Sequence, residues 1–554
     1  MRNGDDKIAR PTTIPEALFA TAEREDGKYV FHLDAGPVSI SCSELAERAQ
    51  RGARRLMALG VEPGDAVGIL GPNRPEWVVG AFATWIAGAT LVPVQIPLRI
   101  RDPDAFREQL RRLVEVGHCR RVLSDARLTA MLPAGVGVPW DEVGDESLEE
   151  PAAPTPDSIA VIQFTSGSTS VPKGARLTHA AVMAQIDLLR HGYRYEDGTP
   201  RAVLGWTPFF HDLGLFANLI QPAVTGSTTH HLPTERFARD PAEWLRLVQS
   251  TRVAATVAPS TAFGSALRTV IRRGESVDLS SLDTAYFAAE GIDPEVARRM
   301  VDTARRFDFR PEALGGSYGL AEAVMAVAYS LPGTGLHVDR ISLQELTASK
   351  IATPTKGGAA RLVVSSGPPH MDLRIAGQEG ILSERHVGEI QVRGPSLMSG
   401  YIGAEAPDPF VNGWLCTGDL GYLAGGELYV TGRAKDLIIS AGHNHYPEDF
   451  EWAAAQVPGV RTGRCVAFTK PGTERVIVLV EPSDPDADPA GLTREVSDKI
   501  TGAVGVPPAE VLVLPAGTVE KTTSGKLRRA SMRDAYASGA LRIGGALTDH
   551  PRVR

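Results

Sequence analysis

The feature that most limits what this chain can fold into is an alternation, early in the sequence, of short apolar runs with amphipathic stretches of helical period. AVGIL (Ala66 to Leu70) is followed by a helical pattern near Glu76 to Ala87, then TLVPVQ, then a second helical stretch from Pro103 to Val116, then RRVLS. Wholly apolar runs suit strands buried on both faces, and a helix between successive strands is the crossover a parallel sheet requires. The expected fold class is therefore α/β. Further along the pattern shortens. Glu389 to Arg393, Glu427 to Thr431 and Leu437 to Ser440 read as brief strands broken by glycine, which predicts an antiparallel or barrel-like part. After Gly432 the chain carries its own β and α patterns through Tyr536.

At 554 residues the chain is too long for one ordinary core, so at least two domains are expected, the first of them large enough to subdivide. Its 58 basic and 66 acidic residues leave a net charge of -8, which offers no electrostatic footprint for nucleic acid or an anionic membrane surface. The most apolar stretch, Trp77 to Pro97, is interrupted by Gly80, Gly88 and Pro93, and the amino terminus is polar, so neither a membrane span nor a signal peptide is expected. Cys42, Cys119, Cys416 and Cys465 lie far apart without a CxxC pair, which argues against a zinc site or disulfide framework and fits a reducing cytoplasm. His230/His231 and His443/His445 lack a third metal-ligand partner and read as ordinary polar residues. Met1 to Pro11 and the tail from about Ser538 are expected to fray, and Asp141 to Asp157 to form an exposed connector. Within that connector GDESL (Gly144 to Leu148) has only a loose likeness to a phosphopantetheine attachment site.

Chemistry first becomes legible at Ile159 to Gly174, IAVIQFTSGSTSVPKG. An apolar strand runs into Thr165, Ser166, Gly167, Ser168, Thr169 and Ser170, where small residues let backbone N–H groups approach phosphate oxygens and hydroxyls add donors. A surface turn has the same composition, so the cluster alone leaves both readings open. It is not a Walker A loop, because Lys173 is followed by Gly174 and Ala175.

TSGSTSVPKG resembles the phosphate loop of the adenylate-forming superfamily: acyl-CoA synthetases, fatty acyl-AMP ligases, luciferases and peptide-synthetase adenylation domains. The superfamily's other landmarks follow in its order. They are PFFHDLG (Pro208 to Gly214), FAAEGI (Phe287 to Ile292), SYGLAE (Ser317 to Glu322), CTGDLG (Cys416 to Gly421), GRAKDLI (Gly432 to Ile438) and TTSGKLRR (Thr522 to Arg529). The resemblance implies a large domain over residues 1–432, with parallel-sheet α/β subdomains and a small barrel-like part. A small mobile α+β domain over 433–554 would follow, with a hinge near 433–435 that includes Lys435.

The resemblance also implies roles. Thr165, Ser166, Gly167, Ser168, Thr169 and Lys173 would hold the phosphates of ATP. Glu322 would hold Mg²⁺, a hard cation suited to a carboxylate, phosphates and water. Ala288, Ala289 and Glu290 would line adenine, with Ser317, Tyr318 and Gly319 beside it and Tyr318 stacking on the base. Asp419 would accept the ribose hydroxyls, and Arg433 would lie beside ribose and phosphate. Lys526 would meet the substrate carboxylate and the α-phosphate, and His211 would stand at the mouth of the acyl pocket.

GST in the phosphate loop, HDLG after PFF, SYGLAEA, and the stretch after Glu322 favour the fatty acyl-AMP ligase branch. The segment at about 335–358 is similar to that branch's insertion. AAEGI departs from its usual GAEP at Gly291. The implied activity joins a carboxylic acid, expected to be a fatty acid, to AMP and passes it to a separate acyl carrier protein. An acyl-CoA synthetase is the first alternative, and activation of a non-fatty acid the second. A peptide-synthetase domain fits less well, because His211 lies where amino-acid activators place an aspartate. A non-enzymatic binding protein would be expected to have lost Lys526, Glu322 or Asp419, all of which are present.

Overall fold

The computed structural model describes residues 10–97, 100, 102–140, 151–164, 173–194, 201–403, 408–440, 443–521, 526–543 and 546–547. The alternation at the start of the chain builds a seven-stranded sheet. In spatial order its strands are Tyr401–Ile402, Gly174–Thr178, Ile159–Phe164, Thr90–Val94, Ala66–Leu70, Cys119–Ser124 and Gly137–Pro139. The last five run parallel, and the first two close one edge antiparallel. Ala66–Leu70 is buried at every position because both its faces are covered, as its unbroken apolar sequence requires. The helix Pro103–Val116 begins where expected: Asp102 accepts hydrogen bonds from the N–H groups of Asp104 and Ala105, each at 3.0 Å, and Pro103 opens the first turn. Its Phe106, Leu110, Leu113 and Val114 form the buried stripe.

A second, eight-stranded sheet is parallel from Leu314–Gly319 through Thr284–Phe287, Ala255–Ala258, Val203–Gly205 and Thr228–His231 to Lys28–Leu33, with antiparallel strands at both edges. The third sheet, Asp372–Gly377, Gly388–Arg393, Trp414–Ala424 and Glu427–Arg433 with two short companions, is antiparallel throughout, as the shorter pattern indicated. One strand of that expectation belongs elsewhere: among the described residues Ile438–Ser440 pairs with His443–His445 and not with the antiparallel sheet. His231 also departs from expectation. It is wholly buried between the rings of Phe31 and Phe209, and burial pushes its imidazole down to about 3, so it is neutral core and not a solvated polar residue.

Beyond Ile438 the apolar side chains gather around a three-stranded sheet, Val460–Thr469, Val476–Pro482 and Glu510–Val513. On the central strand Val476, Val478 and Val480 face one cluster with Phe450 and Ile500, while Ile477 and Leu479 face another with Met532 and Tyr536. Period-two alternation with both faces covered explains why VIVLV contains no polar residue. The segment at 335–358 is ordered: Val338–Ser342 pairs antiparallel with Ala360–Val364, and Ser342 caps the intervening helix Leu343–Ser349. Its Ile341, Leu346 and Ala352 pack with Tyr422 and Tyr429 of the antiparallel sheet and with Tyr446.

Among the described residues no helix is long and apolar enough to cross a membrane. GDESL, most of the expected connector and the residues before Arg10 lie outside the described residues.

Candidate active site

Two antiparallel strands set the first corner of the site. Asp419 and Arg433 are direct cross-strand partners, so their side chains meet on one face. Arg433 Nε lies 2.7 Å from Asp419 Oδ1, and the Tyr318 hydroxyl donates to Asp419 Oδ2 at 2.8 Å. Tyr318 comes from a different sheet, at the carboxyl end of Leu314–Gly319. Burial, reinforced by the neighbouring Asp419, holds its phenol well above the ordinary tyrosine range, so it is a fixed donor. Asp419, at 5% exposure, thus has each oxygen anchored by one donor and keeps further lone pairs for a ligand's hydroxyls.

The strand that delivers Tyr318 ends in a tight turn carrying Glu322. Val324 adopts φ 63°, ψ −62°, and the Met325 N–H donates to the Ala323 carbonyl at 2.7 Å, the geometry of a classic γ-turn. A buried β-branched residue rarely accepts such a backbone, and strain of this kind concentrates where a side chain must be aimed. Glu322 Oε1 accepts a 2.7 Å hydrogen bond from the Tyr401 hydroxyl, while Oε2 accepts none from any described residue. Among the described residues no three His, Cys, Asp or Glu side chains cluster as a metal cage. One available carboxylate oxygen fits Mg²⁺, which is commonly held by one or two carboxylates with phosphates and water completing its shell.

Two cavities meet here. The larger, about 1760 Å³ including its open mouth, is bounded by Ala289 to Asp293, Tyr318, Asp419 and Arg433. The smaller, about 590 Å³ again including its open mouth, is lined by Leu189, Tyr193, Leu213, Val257, Tyr286 and Tyr329, with His211 and Asp212 also present. Ala289, Ser317, Gly319 and Lys526 line both. Gly319 is required at this junction, because a Cβ there would stand 1.7 Å from the Met325 carbonyl oxygen. His211 Nδ1 lies 2.6 Å from Asp212 Oδ1. Burial alone would raise the Asp212 carboxyl, but the charges of His211 and Lys526 and the Leu213 N–H outweigh it and keep the group below the ordinary carboxylate range. Leu213–Ile220, which follows, is wound as a π-helix, a rare form that is frequent at functional sites.

Glu290 is placed with the adenine-lining residues but its carboxylate is already occupied. It accepts from Ser260 Oγ and the Thr261 N–H, both at 2.9 Å, and so caps the helix Ser260–Arg272, whose own preceding residue, Pro259, offers no side-chain cap. Ala288 lines the smaller cavity, and Ala289, at φ +70°, turns the chain between the two. Lys173 sits with its ammonium 5.9 Å from the centre of the Tyr401 ring. Lys435 is exposed in the short 3-10 turn Ala434–Asp436. Thr165, Ser166, Gly167, Ser168 and Thr169 lie outside the described residues.

Three side chains that the motifs did not single out help build the site. Asn73 ties down the PFF loop, donating to the Thr207 carbonyl at 2.8 Å and accepting from the Phe209 N–H at 2.9 Å. Gln163 holds the Phe210 carbonyl at 3.0 Å, and Tyr401 reaches Glu322. Their partners are between 47 and 136 residues away, so no local pattern announces them.

The family model described as AMP-binding enzyme matches residues 18–402. The chain is 32% identical to a Caulobacter vibrioides protein provisionally named an acyl-CoA synthetase, over 95% of this chain and 96% of the relative. It is 29% identical to the medium-chain-fatty-acid–[acyl-carrier-protein] ligase JamA of Moorena producens, over 91% of this chain and 90% of the relative. A solved structure from studies of fatty acyl-adenylate ligases from E. coli and L. pneumophila superposes with a TM-score of 0.88 at 31% identity, covering 95% of this chain and 97% of that one.

Proposed function

Since the chain belongs to the family of AMP-binding enzymes, we propose that it joins a fatty acid to AMP from ATP, releasing pyrophosphate, and passes the acyl group to the phosphopantetheine thiol of a separate carrier protein. The observation that carries this reading is the position of Lys526, on the boundary of both cavities. A cation there sits between a carboxylate whose chain enters the smaller cavity, along Leu189, Leu213 and Val257, and the α-phosphate of a nucleotide in the larger one. It screens the repulsion between two anions that must react. The carboxylate oxygen attacks the α-phosphorus, the bond to the β-phosphate breaks, and pyrophosphate leaves with the bonding pair.

In this reading the ribose hydroxyls donate to Asp419, which Arg433 and Tyr318 hold in place. Adenine lies against Ala289 to Gly291 and Tyr318, and His211 stands at the acyl entrance. Thr165 to Thr169 and Lys173 cradle the phosphates. Glu322 offers Oε2 to Mg²⁺, which when bound neutralises phosphate charge. Residues 1–432 and 433–554 are taken as the two domains, with Lys435 at the hinge about which the second turns for thiol attack. In that second step the thiol, losing its proton, bonds to the acyl carbon and AMP leaves.

JamA supports the carrier protein as acceptor, and so does the ordered segment at 335–358, packed against Tyr446 just beyond the proposed hinge. A restrained second domain favours a slim tethered arm over a bulky nucleotide thiol. The Caulobacter relative keeps coenzyme A as the alternative acceptor. Incubation with ATP, Mg²⁺ and a panel of fatty and non-fatty acids, read by pyrophosphate release and mass analysis, tests the first step. ADP as the product would reject it. Saturating coenzyme A should then leave the acyl adenylate largely intact while a cognate holo-carrier discharges it; acyl-CoA formation as fast as adenylation would instead select the alternative.

A further inference from the structure

We infer that Tyr401 is the positioning residue that aims Glu322, and that residues 398–402 form a splint locking the metal-binding carboxylate to the strand leaving the phosphate loop. The inference rests on the nucleotide-site reading above. Each position of the splint is tied down. The Met398 N–H donates to the Glu322 carbonyl at 2.8 Å, the Ser399 N–H to the Arg176 carbonyl at 2.9 Å, and the Arg176 N–H returns to the Gly400 carbonyl at 2.9 Å. Tyr401 and Ile402 then pair in antiparallel register with Ala175 and Gly174. Gly174 permits the approach, since a Cβ there would stand 2.8 Å from Ile402 Cγ2.

From this backbone position the Tyr401 side chain does two things. Its hydroxyl donates to Glu322 Oε1 at 2.7 Å, and its ring packs beneath the ammonium of Lys173, 5.9 Å from the ring centre. With Oε1 fixed, Oε2 is the oxygen presented to a cation, and Glu322 is held in register with the arm that carries Lys173. A carboxylate on a strained turn has other rotamers, and a charge-assisted hydrogen bond to it selects one.

Tyr401→Phe removes the hydroxyl while keeping the ring, the strand pairing and the contact with Lys173. Thermal stabilisation by ATP, measured without acid so that no turnover occurs, should need about tenfold more Mg²⁺ for its half-maximal effect. Stabilisation by AMP without metal should not change. In a Glu322→Ala background the same substitution should produce no further shift, because the group it positions is gone. A Phe variant with a Mg²⁺ requirement within about twofold of the parent overturns the inference. So does an equal shift in the Glu322→Ala background, or loss of AMP stabilisation, which would signal collapse and not misaiming. A parent protein that ATP fails to stabilise at any Mg²⁺ concentration would reject the nucleotide-site reading itself, a result distinct from an unresponsive Tyr401 variant.

Discussion

Arg361 and Asp449 form a buried ion pair, Nε to Oδ1 at 2.8 Å with side chains 5% and 12% exposed, joining the strand that closes the inserted segment to the helix Pro447–Ala455. Arg361 also donates to the Thr431 carbonyl at 2.9 Å and lies 4.1 Å from the centre of the Tyr446 ring. One guanidinium thus grips the chain on both sides of Arg433 to Lys435. Replacing it by leucine would strand a buried carboxylate, at a cost of about 3 to 5 kcal/mol. Denaturant unfolding of Arg361→Leu checks this, and a cost below about 1 kcal/mol would show that the pair holds nothing.

Asp449 gives that contact a pH dependence. Burial, only partly offset by Arg361, raises its carboxyl from the ordinary 3.8 to about 6. The folded protein therefore binds this proton more tightly than the unfolded chain. Its contribution to stability is fully present below about pH 4 and is lost as pH rises through about 6. Relative to Asp449→Asn, the parent should lose roughly 2 to 3 kcal/mol between pH 4 and pH 7. Parallel unfolding curves at the two pH values measure the difference, and a constant gap removes Asp449 as its source.

Lys526→Ala removes the cation shared by the two cavities and leaves Asp419, Arg433 and Tyr318 untouched. Adenylation should slow by roughly a hundred to a thousand fold, corresponding to about 3 to 4 kcal/mol of lost transition-state stabilisation. ATP affinity should change far less. Single-turnover kinetics beside equilibrium nucleotide binding separate the two effects, and a rate within about threefold of the parent would exclude Lys526 from the chemistry.

Asp419→Ala should act mainly on binding. It removes the acceptor proposed for ribose and orphans both the buried Tyr318 hydroxyl and Arg433, so nucleotide affinity should fall at least about tenfold and stability by about 1 to 3 kcal/mol. Isothermal titration with AMP and thermal unfolding report the two losses. Undiminished AMP binding would move the ribose elsewhere.

The glycines at 291 and 319 should respond oppositely to alanine. At Gly319 the new methyl would collide with the Met325 carbonyl, so adenylation should fail and stability drop by about 3 kcal/mol. At Gly291 the nearest atoms, on Glu448 and Trp452, are 3.9 Å away. Alanine there should be accepted by the fold and add up to about 1 kcal/mol by restricting the unfolded chain. Thermal melts with pyrophosphate-release rates distinguish the two, and equal responses would contradict the packing described.

What the amino-acid order determined by itself is whatever depends on near neighbours. Ala66–Leu70 declares a strand buried on both faces, and Pro103–Val116 declares an amphipathic helix, because strand and helix periods act within a few residues. SYGLAE, TGD and SGK were legible through their resemblance to the adenylate-forming superfamily, and that resemblance named Tyr318, Glu322, Asp419 and Lys526 as candidates. Tertiary structure alone decided how those candidates are held. Tyr401 and Glu322 are 79 residues apart, Glu290 and Ser260 30, and Arg361 and Asp449 88. In each case the partner is set by sheet register and by the burial of one packed layer against another, which no window of sequence contains. His231 shows the same limit: a histidine in TTHH reads as polar until the rings of Phe31 and Phe209 close over it, and desolvation then keeps the buried imidazole neutral.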